Sequence, residues 1–238
     1  LDEKNYYEAV SEEANLWEVD KRENRYYQDM IRFDRILQLL PKKSQKILDL
    51  GCGDGYLSYL MARAKHQVTA FDLSQNRLDK FKNLAEENGI KQVIGDAKNT
   101  SFPDNVFDLI ICSEVIEHIE GFEAVLQEAW RILQPSGQII ISVPHDEPRK
   151  IITCPHCLKQ FYRNGHVNRF TRQNLPEALQ EHHFQVLKVK AIRSKMLNQI
   201  QYHLKLKYGP LLKFWDSLLS FIFPKYTIYL IVMAQKPD

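Results

Sequence analysis

Lys46 to Gly55 reads KILDLGCGDG. Its first half is a short, mostly apolar run of the kind that forms a strand buried on both faces. Its second half places glycine at 51, 53 and 55. Glycine accepts positive φ and lets backbone approach a ligand closely. A glycine motif carries meaning where a strand turns into a helix, and Tyr56–Ala64 reads as that helix. A dinucleotide fingerprint uses such a turn to receive pyrophosphate. Here the motif is the compact GxGxG, led by the acid Asp49, which suits a ligand bearing an ammonium group better.

Outward from this turn, strands and helices alternate. Gln67–Asp72 (QVTAFD) predicts a second strand, and Ser74 N-caps a helix through Asn88 that Gly89 stops. Lys91–Gly95 is a third strand and Phe107–Cys112 (FDLIIC) a fourth. A helix over Phe122–Leu133 and a turn at Pro135-Ser136-Gly137 lead into a fifth, Gln138–Val143. This order predicts an α/β fold with a mostly parallel sheet and helices on both faces. Ligands in such sheets bind outside the carboxyl ends of the strands. Upstream, residues 5–40 read as helical until Pro41 stops the run. After Pro144 the rhythm breaks into a polar insertion, 145–170, rich in His, Cys and Arg. A helix over Arg172–His182, with Thr171 as N-cap, and a strand over Phe184–Val189 resume the pattern. Residues 194–223 predict a helical pair interrupted at Gly209-Pro210, and Thr227–Ala234 a last buried strand. With 238 residues and 44% apolar content, one domain is expected. It comprises a helical cap (1–40), a cofactor-binding core (41–144), the insertion (145–170) and a C-terminal part (171–238).

The glycine loop, Asp72 at the end of the next strand, Gly95-Asp96-Ala97, Phe102–His118 (FPDNVFDLIICSEVIEH) and Leu133–Pro144 (LQPSGQIIISVP) together resemble the class I S-adenosylmethionine (SAM)-dependent methyltransferases. Within that family, the run Phe102–His118 resembles the large subgroup acting on small molecules, quinones, lipids and sugars. The resemblance covers residues 40–145 well and the whole chain loosely. It implies a Rossmann-like seven-stranded sheet whose last strand runs antiparallel. It also implies SAM binding by the loop residues Asp49, Gly51, Cys52, Gly53 and Gly55, by Asp72 with Leu73, by Asp96 with Ala97, and by Ser113. Asp72 would hold the ribose hydroxyls and Asp96 would face the adenine amino group. The sulfonium is already an activated methyl donor, so the protein has to align the acceptor and exclude water. An oxygen acceptor also needs its proton removed or its oxyanion stabilised.

Glu114, Glu117 and His118 form an ExxEH pattern just beyond the fourth strand. In ubiquinone-pathway O-methyltransferases and small-RNA 2′-O-methyltransferases a similar pattern binds a divalent metal that activates the acceptor hydroxyl. Three readings stand side by side: a divalent metal site, His118 as a metal-free base, or a structural role. A second constellation is Cys154-Pro-His-Cys157 with His166 nine residues on. It has the spacing of a zinc knuckle short of one ligand, for which Glu147 is the first choice, ahead of His145, Asp146 and His156. His166 also lies in Gly165–Thr171 (GHVNRFT), which resembles a segment that returns to the active site in related methyltransferases. It therefore serves either the knuckle or the cleft.

Charge is uneven. Residues 1–148 hold 17 Lys/Arg against 26 Asp/Glu, and residues 149–238 hold 15 against 4. The basic half is either a solvated face or a surface for an anionic partner. Residues 196–223 mix Lys with Leu, Phe and Trp. They suit an amphipathic hairpin on a membrane or a lid over an apolar substrate, or a pair packed with its apolar side on the sheet. No apolar run approaches the roughly 20 residues that span a bilayer. The cysteine pattern is no secreted disulfide framework and points to a cytoplasmic protein, with peripheral membrane contact open. The expected activity is methyl transfer, chiefly to an oxygen of a small-molecule or lipid- or glycan-linked acceptor. A small-RNA 2′-O-methyltransferase and a non-catalytic SAM-binding or zinc-knuckle interaction protein are the alternatives.

Overall fold

Ile47, Leu48 and Leu50 are all buried, and KILDL becomes the central strand β1 (Lys46–Leu50). It pairs in parallel with β2 (Gln67–Asp72) on one side and β4 (Phe107–Ser113) on the other. The structure, a computed structural model, describes residues 24–153, 155–204 and 209–238. With β3 (Lys91–Ile94), β5 (Leu133–Pro144), β8 (Gln185–Ser194) and β9 (Thr227–Gln235), the main sheet has seven strands in the order β3-β2-β1-β4-β5-β9-β8. β9 runs antiparallel to both neighbours. The chain is thus a Rossmann-like α/β sheet with an antiparallel last strand, as the family resemblance implies.

Side chains alternate across the pleat and build two cores. Leu48, Leu50, Ile110 and Cys112 pack on one face against α5 (Glu123–Ile132) and α6 (Asn174–Glu181). Ile47, Leu109, Ile111 and Ile140 pack on the other, against α1 (Asn24–Leu37) and α2 (Tyr56–Arg63). The expected N-terminal helix is seen from Asn24 onward, and its earlier part lies outside the described residues.

Some boundaries differ from the sequence reading. The helix expected over 74–88 is two, α3 (Gln75–Lys80) and α4 (Lys82–Glu87), broken at Phe81. The Phe81 ring lies where a side chain on Gly55 would have to go. α6 starts at Asn174, and Thr171 Oγ1 accepts from the backbone N–H of Gln173 and Asn174 at 3.3 and 3.1 Å, a turn before the helix. The polar insertion holds a two-stranded hairpin, β6 (Ile151–Thr153) with β7 (Gln160–Tyr162). The helical pair is α7 (Lys195–Leu204) and α8 (Pro210–Ile222). Packing of the α8 apolar side on the sheet is not what occurs. Asp216 and Ser220 face inward while Leu211, Phe214, Trp215, Phe221 and Ile222 are exposed. A buried demand fixes this orientation: Asp216 accepts from Ser194 N at 2.9 Å beside the fully buried Arg193.

Candidate active site

A cavity of about 620 Å³ opens at the carboxyl ends of β1, β2 and β4. The loop after β1 makes its floor. Gly51 has φ 76°, and a side chain there would collide with Val115. Asp49, Cys52, Gly53, Asp72, Leu73, Asp96, Ala97 and Ser113, all expected at the cofactor, line this cavity with Gly51. Gly55 does not, and its role is to leave room for Phe81.

Asp72 Oδ2 accepts from Gly53 N at 2.8 Å and Oδ1 from Ser74 N at 3.0 Å, so the acid ties the glycine loop to the end of β2. Burial raises its pKa against the pull of those hydrogen bonds. Asp49 is 2% exposed, accepts from Ser58 Oγ and is pushed by burial up to about 7. Burial also pushes the Cys52 thiol up, keeping it protonated. The cavity therefore offers acids at three strand ends. SAM presents an ammonium, two ribose hydroxyls and an adenine amino group, all donors, and the pocket volume is in the range of small-molecule sites. The residues present fit the cofactor.

The ExxEH residues separate. Glu114 has φ 58°. Its Oε1 accepts from Ser142 Oγ at 3.0 Å, and its Oε2 lies 3.6 Å from the Arg32 guanidinium. Glu117 is 1% exposed, and neither of its carboxylate oxygens has a hydrogen-bond partner. Burial and the nearby Glu114 push its pKa well up. His118 is pushed down to about 4 by burial and by His166. Its Nδ1–H donates to Gly165 O at 3.3 Å, which leaves the Nε2 lone pair near Glu117 Oε1, at 3.8 Å. His166 meets His118 edge-on, with ring centroids 4.8 Å apart. Glu117, His118 and His166 can each offer one ligand atom within 4.8 Å of the others, and they are the one such group among the described residues.

Among the described residues His166 thus groups with Glu117 and His118, and not with Cys157. The physical reason is the hairpin. It carries Cys157, exposed, between β6 and β7, while His166 follows β7 at the base. There His166 Nδ1 donates to Glu147 Oε2 at 3.1 Å, so Glu147 is engaged as well. Cys154 lies outside the described residues. The segment around His166 is clamped to the one-turn helix Ile116–His118. Asn168 Nδ2 donates to Ile116 O and Ile119 O at 2.9 and 2.7 Å, and Asn168 N donates to Glu117 O at 3.0 Å.

Sequence reasoning missed the roof. Gln28, Asp29, Arg32 and Phe33 of α1 and Tyr229 of β9 also line the cavity. Arg32 pairs with Asp29 at 2.9 Å and lies over the rings of Phe33 and Tyr229, 5.0 Å from each centroid. An acid and a base three apart on the otherwise apolar face of α1 were the available signal.

Solved structures share this architecture. The Burkholderia thailandensis 1,6-didemethyltoxoflavin-N1-methyltransferase, solved with 1,6-didemethyltoxoflavin and S-adenosylhomocysteine, superposes with TM-score 0.67 at 18% identity, covering 99% of this chain and 87% of that one. In sequence, the ubiquinone biosynthesis O-methyltransferase of Pseudomonas entomophila is 28% identical over 144 residues, 57% of this chain and 62% of the relative. The biotin biosynthesis bifunctional protein BioHC of Saccharophagus degradans is 32% identical over 109 residues, 45% of this chain and 20% of the relative. The match thus spans less than two thirds of either relative's length. Residues 48–141 match the Methyltransf_11 family, a methyltransferase domain. That stretch, well under half of the chain, is similar to the methyltransferase domain of SAM-dependent enzymes, and the sheet around it is the one these solved structures share.

Proposed function

We propose that the chain transfers the methyl group of SAM to an oxygen of a small-molecule or lipid- or glycan-linked acceptor held beside Glu117, His118 and His166. The observation that carries this reading is Glu117, a buried carboxylate with no hydrogen-bond partner, facing two imidazoles. An unpaired buried acid is costly, and a site that receives a cation or an acceptor proton relieves it. These three residues fit a divalent cation, which when bound would supply Lewis-acid polarisation of an acceptor hydroxyl. His118 is neutral at pH 7 because burial holds it near 4, so its Nε2 is free of a proton. Glu114, braced by Arg32 and Ser142, forms the wall between this cluster and α1. The names of the ubiquinone-pathway relatives agree with an oxygen acceptor. The N1-methyltransferase shares the fold with a nitrogen acceptor, so the side-chain cluster and not the sheet argues for oxygen.

The test is labelled-methyl transfer from SAM to a panel of phenols, carboxylic acids and amines, with and without a strong chelator. Loss of transfer to phenols with chelator, restored by magnesium, manganese or zinc, is expected. Transfer unchanged by the chelator would reject the metal and leave His118 as a metal-free base. Transfer to amines alone would reject the oxygen acceptor.

A further inference from the structure

On the face of the molecule formed by α8, β8 and the end of α1 lies a second cavity, of about 330 Å³. Its lining holds Arg35, Arg172 and Lys190. The one acid in it, Asp216, is 2% exposed and committed to Ser194 N and Arg193. Lys190 is pushed down by burial and by the positive charge of Arg35 and Lys188, and among the described residues no ion pair joins Arg35, Arg172 or Lys190 to a carboxylate. Ser217 Oγ accepts from Arg35 at 2.6 Å, which fixes that guanidinium at the cavity wall. Ser220, 5% exposed, also lines the cavity, and its Oγ has no hydrogen-bond partner. Three cations and an unpartnered hydroxyl form a receptor for a tetrahedral oxyanion such as a phosphate ester.

The second observation is α8 itself. An ordinary surface helix turns its apolar stripe to the core. α8 turns Asp216 and Ser220 to the core and Leu211, Phe214, Trp215, Phe221 and Ile222 to the outside, Phe221 at 84% exposure. Phe223 and Tyr226 continue this exposed surface. Phe221 also lines the basic cavity, so the apolar patch and the cationic pocket share an edge. Residues 186–238 carry nine Lys/Arg against two Asp/Glu. A contiguous exposed apolar patch marks an interaction site. Aromatic and aliphatic residues bordered by cations complement the interface of an anionic bilayer, acyl chains beneath and phosphates above. None of the described helices is long and apolar enough to cross a membrane, so the contact is one of lying on the surface.

We propose that α8 and the adjoining Arg35–Arg172–Lys190 pocket form a docking surface for an anionic phospholipid bilayer, with a headgroup phosphate seated in the pocket. The contact stands apart from the identity of the acceptor and needs no turnover to be observed.

Co-sedimentation with phosphatidylcholine vesicles, with and without phosphatidylglycerol, tests it. The protein is expected to sediment with the phosphatidylglycerol vesicles and to be released by salt. Lys190→Glu should weaken that binding by about tenfold, and Phe214→Ser with Phe221→Ser should abolish it. Each variant should keep its melting-temperature rise with S-adenosylhomocysteine, which reports an intact fold. Three outcomes overturn the proposal. One is the absence of sedimentation with either vesicle. A second is inorganic phosphate binding lost in Lys190→Glu without vesicle binding, which makes the pocket a site for a soluble anion. The third is a dimer that Phe214→Ser with Phe221→Ser dissolves, again without vesicle binding, which assigns the patch to a second copy of the chain.

Discussion

Glu114 and Glu117 sit three positions apart and reach different partners, because Glu114 takes a left-handed backbone angle of 58°. A sequence pattern places the two acids together, and the dihedral that divides them is set by packing against Ser142 and Arg32 from distant segments. The glycine loop and the acids at 49, 72 and 96 were legible for the opposite reason, since each is a local consequence of a strand end. His166 was legible as a choice between two sites, and its contact with His118 depends on the hairpin's fold. Asp49 gives a residue-scale prediction. Its folded pKa, about 7, lies above its ordinary 3.8. The stability it contributes is therefore full below pH 3.8 and is lost as pH rises through about 7. Asp49→Asn removes the buried charge. It should raise stability at pH 8 by at most about 4 kcal/mol, three pKa units' worth, with no gain below pH 3.8. Urea denaturation at both pH values measures this. The same variant should bind SAM more weakly, having lost the charge that suits an ammonium.

The stretch Gly165–Phe170 behaves as an element although it is neither helix nor strand. Asn168 fixes it to the Ile116–His118 turn through two donated hydrogen bonds, each contributing about 1 kcal/mol. Asn168→Ala should lower stability by about 2 kcal/mol and slow methyl transfer by about tenfold or more through a displaced His166. S-adenosylhomocysteine affinity should stay within about twofold, and calorimetric titration beside turnover separates the two. α8 shows the limit of periodicity. The apolar stripe was plain in the sequence, but which side it faces depends on the buried Arg193. Asp216→Ala should cost about 3 kcal/mol by leaving that guanidinium without its carboxylate, read from urea unfolding. The β6–β7 hairpin escaped the sequence reading because Ile151, Ile152 and Phe161 are exposed and bury no patterned face.

Across the whole molecule, the mostly parallel sheet with helices on both faces followed from the alternation of elements, while the antiparallel closure by β9 was legible only through the family resemblance. The cavity's roof did not follow, because α1 and β9 meet there from opposite ends of the chain. Binding only to the folded state, S-adenosylhomocysteine at about a hundred times its Kd should stabilise the protein by about 2.7 kcal/mol. For a chain of this size that is a melting shift of about 5–10 °C, visible by scanning calorimetry. NAD at equal concentration should give none. One helix touches both cavities: α1 places Arg32 over the first cavity and Arg35, one turn on, in the basic pocket. A ligand that selects one position of α1 in either cavity selects it in both, and thermodynamic linkage makes such an effect mutual. Whatever factor anionic vesicles apply to the affinity for S-adenosylhomocysteine, S-adenosylhomocysteine applies to the affinity for vesicles. The protein would then sense at one site whether the other is filled.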